Sequence, residues 1–416
     1  MPEFIDLLPP QIALKQLLEH LTSQPASEGI LTWDGEGRVA SDQILAPHPL
    51  PIFNRSTVDG YAVRSVDTRG ASDSLPVYLD HIGEVLMGQA AEISLAGNQC
   101  ALIHTGGMLP ESCDAVVMLE NTQVAHAGEI EILRSVAPGE NVIKIGEDIR
   151  QGEVVIQAGS ILQAADIGGL LALGITQIRV ARKPIVGIIS SGDEVVPPDA
   201  DLKAGQVRDI NTYTLAALIN DFGARASKFG ILPDQEDPLH KVVSQALLEC
   251  DMVVITAGSS ASNKDLTARI INSLGEPGVI VHGVNVRPGK PTILAGCRVP
   301  GEEIVKPVIG LPGNPVSALV IAMLFVEPVI AFLCGVNQDL LLPLIQARVT
   351  INLASSAGRE DWVPVKLEFS DGDYTAEPIF GKSNLIFSLA KADGLLRIPP
   401  NVTGYSAGET VSVRLL

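Results

Sequence analysis

The sequence predicts an α/β protein of several domains, with a mostly parallel sheet at its centre. Between residues 183 and 335, short apolar runs alternate with segments of helical periodicity. Runs typical of short strands fill the regions before and after this part. Strands that alternate with helices imply right-handed crossovers and ligand binding at the carboxyl ends of the strands. A length of 416 residues allows two to four domains.

The central strands are apolar and end in polar or glycine-rich loops, as expected for strands covered by helices on both faces. They are predicted at 183–190, 228–232, 251–256, 279–286 and 307–311. Between them, Asn211 is a candidate N-cap for a helix that stops at Gly223, and Asp237 and Pro238 start a second helix. A third helix ends at Gly275. The loops after the strands are therefore expected on one rim of the sheet.

The flanking regions have different patterns. Apolar spacing over residues 7–21 predicts an amphipathic helix that packs or dimerises, and residues 30–43 alternate like an exposed strand. From residue 75 to 134 short β-like runs alternate with turns, and a small helix is predicted over 163–173. After residue 335, strands at turn-punctuated intervals predict a small β-barrel or sandwich.

The bulk composition excludes several classes of function. A net charge of −19 and a pI near 4.7 argue against a nucleic-acid partner, so an anionic substrate would need local basic residues. The N-terminus lacks the basic region of a signal peptide, and Glu327-Pro328 interrupts the apolar segment 316–336. We therefore expect a cytoplasmic protein without a membrane span. The five cysteines form no CxxC pair, which indicates neither disulfides nor zinc.

Carboxylates follow or border several predicted strands. Glu194 lies after a buried strand, and Asp234 and Asp265 end strands or begin helices. Such carboxylates bind divalent metals or act as acids and bases, although turn solvation and helix capping explain each of them as well. Three carboxylates on adjacent strand ends would repel one another without a cation or basic group between them.

Two loops are suited to anions. Arg287 and Lys290 flank Pro288 and Gly289 in a rigid loop that offers two cations. The segment 310–315 opens a helix whose N–H groups and dipole favour an anion, unless it is merely a turn. Together with the carboxylates, these loops predict a phosphate-bearing small molecule and a divalent cation as ligands.

Further candidates lie in the N-terminal half of the chain. On local chemistry a plain Asp-Gly turn is the favoured interpretation of Asp59. Thr105 precedes two glycines, a pattern that presents N–H groups to an anion but also occurs in ordinary hairpins. His104 and His282 are isolated and are interpreted as polar contacts, not as ligands or bases.

Taken in order, several segments resemble the molybdopterin molybdenumtransferase family, MoeA, which is similar to the C-terminal domain of gephyrin. The matching segments are 54–63, 105–106, 114–120, 146–148, 190–194, 287–291, 310–315 and 381–384. Each is weak by itself, but their common order along nearly the whole chain is specific.

The resemblance implies an architecture of four parts. An elongated N-terminal or dimerisation region would comprise 1–26, 44–53 and 141–182, and an inserted β-rich domain would comprise 27–43 and 54–140. A MogA-like three-layer α/β domain would span 183–335, and a C-terminal β-barrel 336–416. The resemblance also implies a homodimer with a cleft shared between subunits, and a MogA-like molybdopterin adenylyltransferase as the upstream partner.

The implied reaction uses adenylylated molybdopterin and molybdate as substrates. The adenylate is cleaved with Mg²⁺ and molybdenum is inserted at the dithiolene, which gives molybdenum cofactor and AMP. The implied catalytic residues are Asp59 and Glu194, and the implied metal ligands are Asp234, Asp265 and Glu194. The implied substrate-binding residues are Thr105, Gly258, Ser260, Arg287, Lys290, Gly313, Asn314 and Ser383.

Three departures from the family pattern leave alternatives open. Residues 56–58 read Ser-Thr-Val where the family commonly has Ser-Ala-Met, the loop 257–262 loses two glycines, and Gly283 replaces a frequent lysine. Insertion of tungstate in place of molybdate is one alternative. A non-catalytic molybdopterin-binding scaffold is another, and a MogA-type adenylyltransferase is a third.

Overall fold

The computed structural model describes residues 7–23, 25–257, 261–299, 301, 303–337, 342–370 and 372–416, without the side chains of residues 261–265. Gly258 and Ser260 lie outside the described residues, as does the side chain of Asp265.

The described residues before residue 183 form two helices and twelve strands. In order they are α1 (Pro10–His20), β1 (Ser27–Leu31), β2 (Ile44–Leu45), β3 (Arg55–Ser56), β4 (Gly60–Val63), β5 (Val77–Val85), β6 (Gln99–Ile103), β7 (Ala115–Met118), β8 (Thr122–His126), β9 (Glu129–Ile132), β10 (Val142–Ile143), β11 (Val154–Ile156), α2 (Ala164–Ala172) and β12 (Gln177–Ala181). Short 3₁₀ turns lie at Thr32–Asp34, Ser65–Thr68 and Leu119–Asn121.

The strands of this part form three two-stranded antiparallel sheets and one six-stranded sheet. β1 pairs with β12, β2 with β11 and β3 with β10, each antiparallel. The strands before β4 thus pair with strands that follow β9. β4 to β9 form a six-stranded sheet in the order β7-β4-β6-β5-β9-β8. β1 lies within residues 27–43, which are predicted to belong to the inserted β-rich domain, and it pairs with β12, which lies in the predicted N-terminal region. An alternating pattern predicts a strand with one buried face, but it does not identify the strand that pairs with it.

The middle of the chain is the predicted three-layer domain. Its elements are β13 (Ile185–Ser191), β14 (Val195–Val196), β15 (Val207–Arg208), α3 (Asn211–Asp221), β16 (Arg225–Leu232), α4 (Glu236–Glu249), β17 (Met252–Ala257), α5 (Ala261–Leu274), β18 (Pro277–His282), β19 (Val286–Arg287), β20 (Ile293–Arg298), β21 (Val305–Pro312), α6 (Pro315–Ile321) and α7 (Glu327–Leu333). A π-helical turn, Ala322–Val326, joins α6 to α7.

The sheet of this domain has the order β16-β13-β17-β21-β20-β18. The first four strands are parallel, as predicted, whereas β20 pairs antiparallel with both of its neighbours, β21 and β18. One hydrophobic core lies between the sheet and α1, α3, α6 and α7, and a second lies between the sheet and α4 and α5. Helices therefore cover both faces, which explains why the central strands read as unbroken apolar runs.

Asn211 does not cap α3 with its side chain. Oδ1 of Asp209 instead accepts the backbone N–H of Thr212 at 3.1 Å, while Nδ2 of Asn211 donates to the carbonyl of Gly313 at 2.8 Å. A capping side chain two positions earlier serves the helix, so Asn211 is free to tie α3 to the loop before α6. The predicted N-cap role of Asn211 is therefore wrong.

The continuous helix Pro315–Leu333 is long and apolar enough to cross a membrane by composition, but 67% of its most apolar window is buried inside the protein. Its residues fill the first core of the α/β domain. The prediction of a buried core helix is confirmed.

The C-terminal part is a barrel, as predicted. Its elements are β22 (Leu344–Val349), β23 (Leu353–Ala354), β24 (Glu360–Ser370), β25 (Asp373–Pro378), α8 (Ile386–Ala390), β26 (Gly394–Ile398), β27 (Gly404–Tyr405) and β28 (Thr410–Leu415). Five strands in the order β24-β25-β22-β28-β26 close through pairing of β24 with β26. β19 of the α/β domain adds to this sheet in parallel with β24, which connects the two domains.

The five cysteines are buried and unpaired, as predicted. Burial raises the pKa of each thiol, to about 12 for Cys100 and Cys297 and to about 11 for Cys113, Cys250 and Cys334. The cysteines therefore serve as small core residues.

Candidate active site

The basic loop at Arg287 is fixed between the α/β domain and the barrel. Arg287 ends β19, and its backbone pairs with Asp361 of β24. Gly289 has φ +124°, and a Cβ there would lie 2.4 Å from Cδ1 of Ile321, so a side chain at this position would collide with α6. The carbonyl of Lys290 accepts the N–H of Val284 at 3.0 Å. The loop is therefore held by a strand, a close helix contact and a backbone bond.

A cavity of about 610 Å³ opens between this loop, the start of α6 and the barrel. Four predicted substrate-binding residues line it: Arg287, Lys290, Asn314 and Ser383. Most other lining residues were not predicted, and those among them with charged side chains or an indole are Arg359, Asp361, Trp362 and Lys382. Its walls thus combine four cationic side chains with one carboxylate and an indole, which suits an anionic ligand with an aromatic ring system.

Hydrogen bonds connect the α/β domain to the barrel at the wall of the cavity that the start of α6 forms. Nδ2 of Asn314 donates to Oγ of Ser383 at 3.0 Å, and the N–H of Val316 donates to the carbonyl of Ser383 at 3.1 Å. Gly313, another predicted binding residue, presents its carbonyl to Asn211 instead of to the cavity. The start of α6 is therefore held on one side by α3 and on the other by the barrel.

The buried carboxylate of Asp361 orients Arg359, a cation of the cavity that the sequence did not reveal. Asp361 is 4% exposed and receives Nε and Nη2 of Arg359 at 2.7 and 3.0 Å. The hydroxyl of Ser355 donates to the same carboxylate at 3.0 Å. The only sequence signal for this arrangement is the charged run from Arg359 to Asp361 immediately before apolar Trp362.

Glu194 and Asp234 follow neighbouring parallel strands, β13 and β16, as predicted. The hydroxyl of Ser191 donates to Oδ1 of Asp234 at 2.5 Å, and the N–H of Asp234 donates to Oδ1 of Asp193 at 3.2 Å. Glu194 is exposed. The two loops are thus tied together at the ligand-receiving rim of the sheet.

Oxygen donors of this kind suit Mg²⁺. Within the described part of the chain, no group of three or more His, Cys, Asp or Glu side chains is arranged to hold a metal ion. Since the side chain of Asp265 is outside that part, the predicted trio of metal ligands stays a prediction.

Asp59 lies directly before β4 and is not part of a plain turn. A Cβ at Gly60 would lie 2.0 Å from the carbonyl oxygen of Val117, so glycine is required by the close approach of β4 to β7. Oδ1 of Asp59 accepts the N–H of Thr105 at 2.8 Å and its hydroxyl at 3.3 Å. The anion that the Thr105 loop binds within this chain is therefore Asp59.

These bonds affect the ionisation of Asp59. The pKa of its carboxyl lies below the ordinary value, first because of the Thr105 N–H and further because of the Thr105 hydroxyl and, when its ring is protonated, the neighbouring His104. Asp59 is consequently ionised at neutral pH and stays accessible, with a side chain 56% exposed.

The predicted site residues thus fall into three groups within one chain. Arg287, Lys290, Asn314 and Ser383 share the cavity, whereas Glu194 and Asp234 share the sheet rim. Asp59 and Thr105 lie in the inserted domain. Among the described residues, no hydrogen bond or ion pair connects Asp59 or Thr105 to the other two groups.

Family models match three successive parts of the chain. Residues 8–174 match the MoeA N-terminal region (domain I and II), and residues 346–416 match the MoeA C-terminal region (domain IV). Residues 187–331 match the model described as "Probable molybdopterin binding domain".

Known proteins resemble the chain over nearly its full length. A protein of Methanocaldococcus jannaschii named for molybdopterin biosynthesis is 36% identical, with 98% of this chain and 96% of the relative covered. The molybdopterin molybdenumtransferase of a Nostoc species is 33% identical, over 95% of this chain and 90% of the relative. A crystal structure of the MoeA protein from Pyrococcus horikoshii superposes with a TM-score of 0.84 at 30% identity, covering 99% of this chain and 100% of that one.

Proposed function

Since this chain belongs to the MoeA family of molybdopterin molybdenumtransferases, we propose that it inserts molybdenum from molybdate into adenylylated molybdopterin and releases AMP. Membership itself makes the chain a transferase of molybdenum cofactor biosynthesis. The proposal concerns the form of the substrates, the product AMP and the residues that act.

The cation-lined cavity is the observation that carries the proposal. The chain has a net charge of −19, so a polyanionic substrate needs a local concentration of positive charge. Arg287, Lys290, Arg359 and Lys382 provide it around about 610 Å³, a volume typical of small-molecule sites. We assign the anionic groups of the adenylylated pterin and the molybdate to this cavity, with Asn314 and Ser383 as hydrogen-bonding partners.

We assign Mg²⁺ to the sheet rim. Glu194 and Asp234 would hold it together with Asp265, because carboxylate oxygens at adjacent strand ends are the donors that Mg²⁺ prefers. The bound ion would offset negative charge on the pyrophosphate of the adenylate. Within the chain itself, Ser191 orients Asp234, and Glu194 remains accessible to substrate.

We further propose that the protein acts as a homodimer. Asp59 and Thr105 lie in a different domain from the cavity, and the cleft becomes complete when the inserted domain of one subunit faces the cavity of the other. Asp59, ionised at neutral pH, would then act as the general base for the water that cleaves the adenylate. We place this step in the cytoplasm, after a MogA-like adenylyltransferase that supplies the substrate.

Purified full-length protein with adenylylated molybdopterin, Mg²⁺ and molybdate tests the proposal. The expected result is stoichiometric AMP release and a product that activates a cofactor-free molybdenum enzyme. A parallel reaction with tungstate compares the two oxyanions, and a reaction with chelator tests the need for Mg²⁺. Substrate binding without AMP release under these conditions would contradict the proposal.

A further inference from the structure

His104 lies between two carboxylates, that of Glu84 on β5 and that of Asp59 directly before β4. Its Nε2 is 2.8 Å from Oε1 of Glu84, and its Nδ1 is 3.7 Å from Oδ1 of Asp59. These two carboxylates are the charged groups within ion-pair distance of the ring in the described part of the chain. The side chain of His104 is 40% exposed, and that of Glu84 is 44% exposed. The sequence reading treated His104 as isolated because Glu84 is twenty residues away.

A β-bulge places Glu84 beside the histidine. His81 pairs with Cys100 and Glu84 pairs with Leu102, so three steps along β5 match two steps along β6. In regular pairing Gly83 would lie opposite Leu102, and a shift by one residue exchanges the two faces of a strand. Bulges commonly redirect side chains next to functional sites. The extra residue in β5 therefore determines which side chain meets His104.

The bond to Glu84 fixes the tautomer of the ring. An ionised carboxylate only accepts hydrogen bonds, so Nε2 of His104 carries the hydrogen. In the neutral ring Nδ1 then has a lone pair, and this atom is the one that faces Asp59. The order of groups is carboxylate, imidazole, carboxylate, with the basic nitrogen directed at the proposed catalytic residue.

We propose that His104, held by Glu84, is a positioning residue that takes up the proton which Asp59 acquires during turnover. Asp59 removes a proton from the attacking water while the water oxygen bonds to the phosphorus of the adenylate and the P–O bond to the molybdopterin phosphate breaks. This proton then moves from Oδ1 of Asp59 to Nδ1 of His104 and later passes from the exposed ring to solvent. Asp59 regains its negative charge, the ring becomes a cation, and Glu84 offsets that charge through Nε2–H. This inference rests on the proposed role of Asp59.

The 3.7 Å between Nδ1 and Oδ1 fits such a resting state. Hydrogen bonds between catalytic groups are often long before substrate binds and shorten in the complex. The loop itself is anchored: the N–H of Gly106 donates to the carbonyl of Ser56 at 2.8 Å, and the N–H of Gly107 donates to the carbonyl of His104 at 2.8 Å. Because the backbone of the loop is held, we expect Nδ1 of His104 to approach Oδ1 of Asp59 by rotation of the two side chains.

The first test reads the tautomer without any reaction. Nitrogen-15 spectra of histidine-labelled protein, at a pH where the rings are neutral, should show His104 as the Nε2–H tautomer. His104→Gln assigns the signal, and Glu84→Ala should turn it into a mixture of tautomers. Glu129→Ala, on neighbouring strand β9, is the matched control and should leave it unchanged. An unchanged His104 signal in Glu84→Ala would overturn the inference.

The second test measures AMP release. His104→Gln should lower kcat about tenfold or more with little change in KM, because the residues assigned to substrate binding remain. Added imidazole should restore part of the activity of His104→Ala, a recovery that a purely structural role would not give. If Asp59→Asn loses activity while His104→Gln keeps the wild-type kcat, the relay is refuted and the function stands. If Asp59→Asn keeps the wild-type kcat as well, the proposed role of Asp59 is refuted with it.

Discussion

Asp361 binds Arg359 with both carboxylate oxygens, at 2.7 and 3.0 Å, and lies 3.9 Å from the guanidinium of Arg287. One buried carboxylate thus contacts two of the cations that line the cavity. Because β19 pairs with β24 at these positions, the contact also connects the α/β domain to the barrel. The positions of the cations in the cavity therefore depend on the contact between the α/β domain and the barrel.

Replacing Asp361 by alanine should destabilise the barrel. The change leaves Arg359 without its two charge-assisted bonds, and we expect a loss of about 2 kcal/mol in the free energy of unfolding. Urea unfolding monitored by the fluorescence of neighbouring Trp362 measures it. The matched control is Asp373→Ala, which removes an exposed 3.2 Å pair with Arg348 in the same barrel. That control should cost less than about 0.5 kcal/mol. Equal losses in the two variants would contradict the account.

Replacing Lys290 by glutamine should weaken anion binding without altering the fold. Loss of one cation from the cavity is expected to raise the Kd for AMP about tenfold at low salt. The difference should shrink as salt screens the charge. Isothermal titration calorimetry measures both effects. Lys366→Gln, which removes an exposed cation elsewhere on the barrel, should leave the Kd unchanged.

Replacing Thr105 by alanine should raise the pKa of Asp59 partway toward its ordinary value. The hydroxyl bond is lost, but the Thr105 N–H, the main cause of the lowered pKa, remains. A carboxyl whose pKa is lowered by folding contributes stability above its unfolded pKa and loses that contribution as the pH falls through the folded pKa. The variant should therefore lose the ordered loop at a higher pH than the wild type.

Carbon-13 NMR of the aspartate carboxyl groups follows this change. Asp393 is the internal control, since its pKa is lowered by the N–H of Leu367 and by Lys366, far from Thr105 in the chain. If the pKa of both Asp59 and Asp393 changes in the variant, or if neither pKa changes, the Thr105 hydroxyl does not cause the lowered pKa of Asp59.

Replacing Glu194 by glutamine should slow AMP release about a hundredfold, because the neutral amide does not supply the negative charge that holds Mg²⁺. The variant should still bind AMP like the wild type, since Glu194 does not line the cavity. Asp193→Asn, one residue earlier on the same exposed turn, tests whether any loss of charge there has this effect. Equal kcat in Glu194→Gln and wild type would remove Glu194 from the catalytic set.

The sequence predicts the central domain well because its strands are buried on both faces. Such strands are continuous apolar runs, and β13, β16, β17 and β21 lie within a few residues of their predicted positions. Strand β20 and its antiparallel pairing with β18 and β21 were not predicted, since an apolar run does not show the direction of a strand in a sheet. The pairing of β1 with β12 was not predicted either. Alternation of apolar and polar residues identifies the buried face of a strand but not the strand that pairs with it.

The site was predicted in part. Arg287, Lys290, Asn314 and Ser383 meet around one cavity, as the rim argument and the family resemblance together suggest. Arg359 contributes from the barrel through a buried ion pair, which no local pattern reveals. The contact between Glu84 and His104 depends on a β-bulge, a feature of pairing between strands that periodicity within one strand does not encode.

Complementation between two inactive variants tests the shared cleft most directly. At a substrate concentration far below the Kd of the Lys290→Gln variant, Asp59→Asn and Lys290→Gln subunits are each expected to have little activity as homodimers. In a mixed dimer, one cleft combines both changes and the other combines intact Asp59 with intact Lys290. Random mixing should therefore restore about one-quarter of wild-type AMP release. No recovery above the two separate variants, in samples shown to contain mixed dimers, would contradict a cleft built from two subunits.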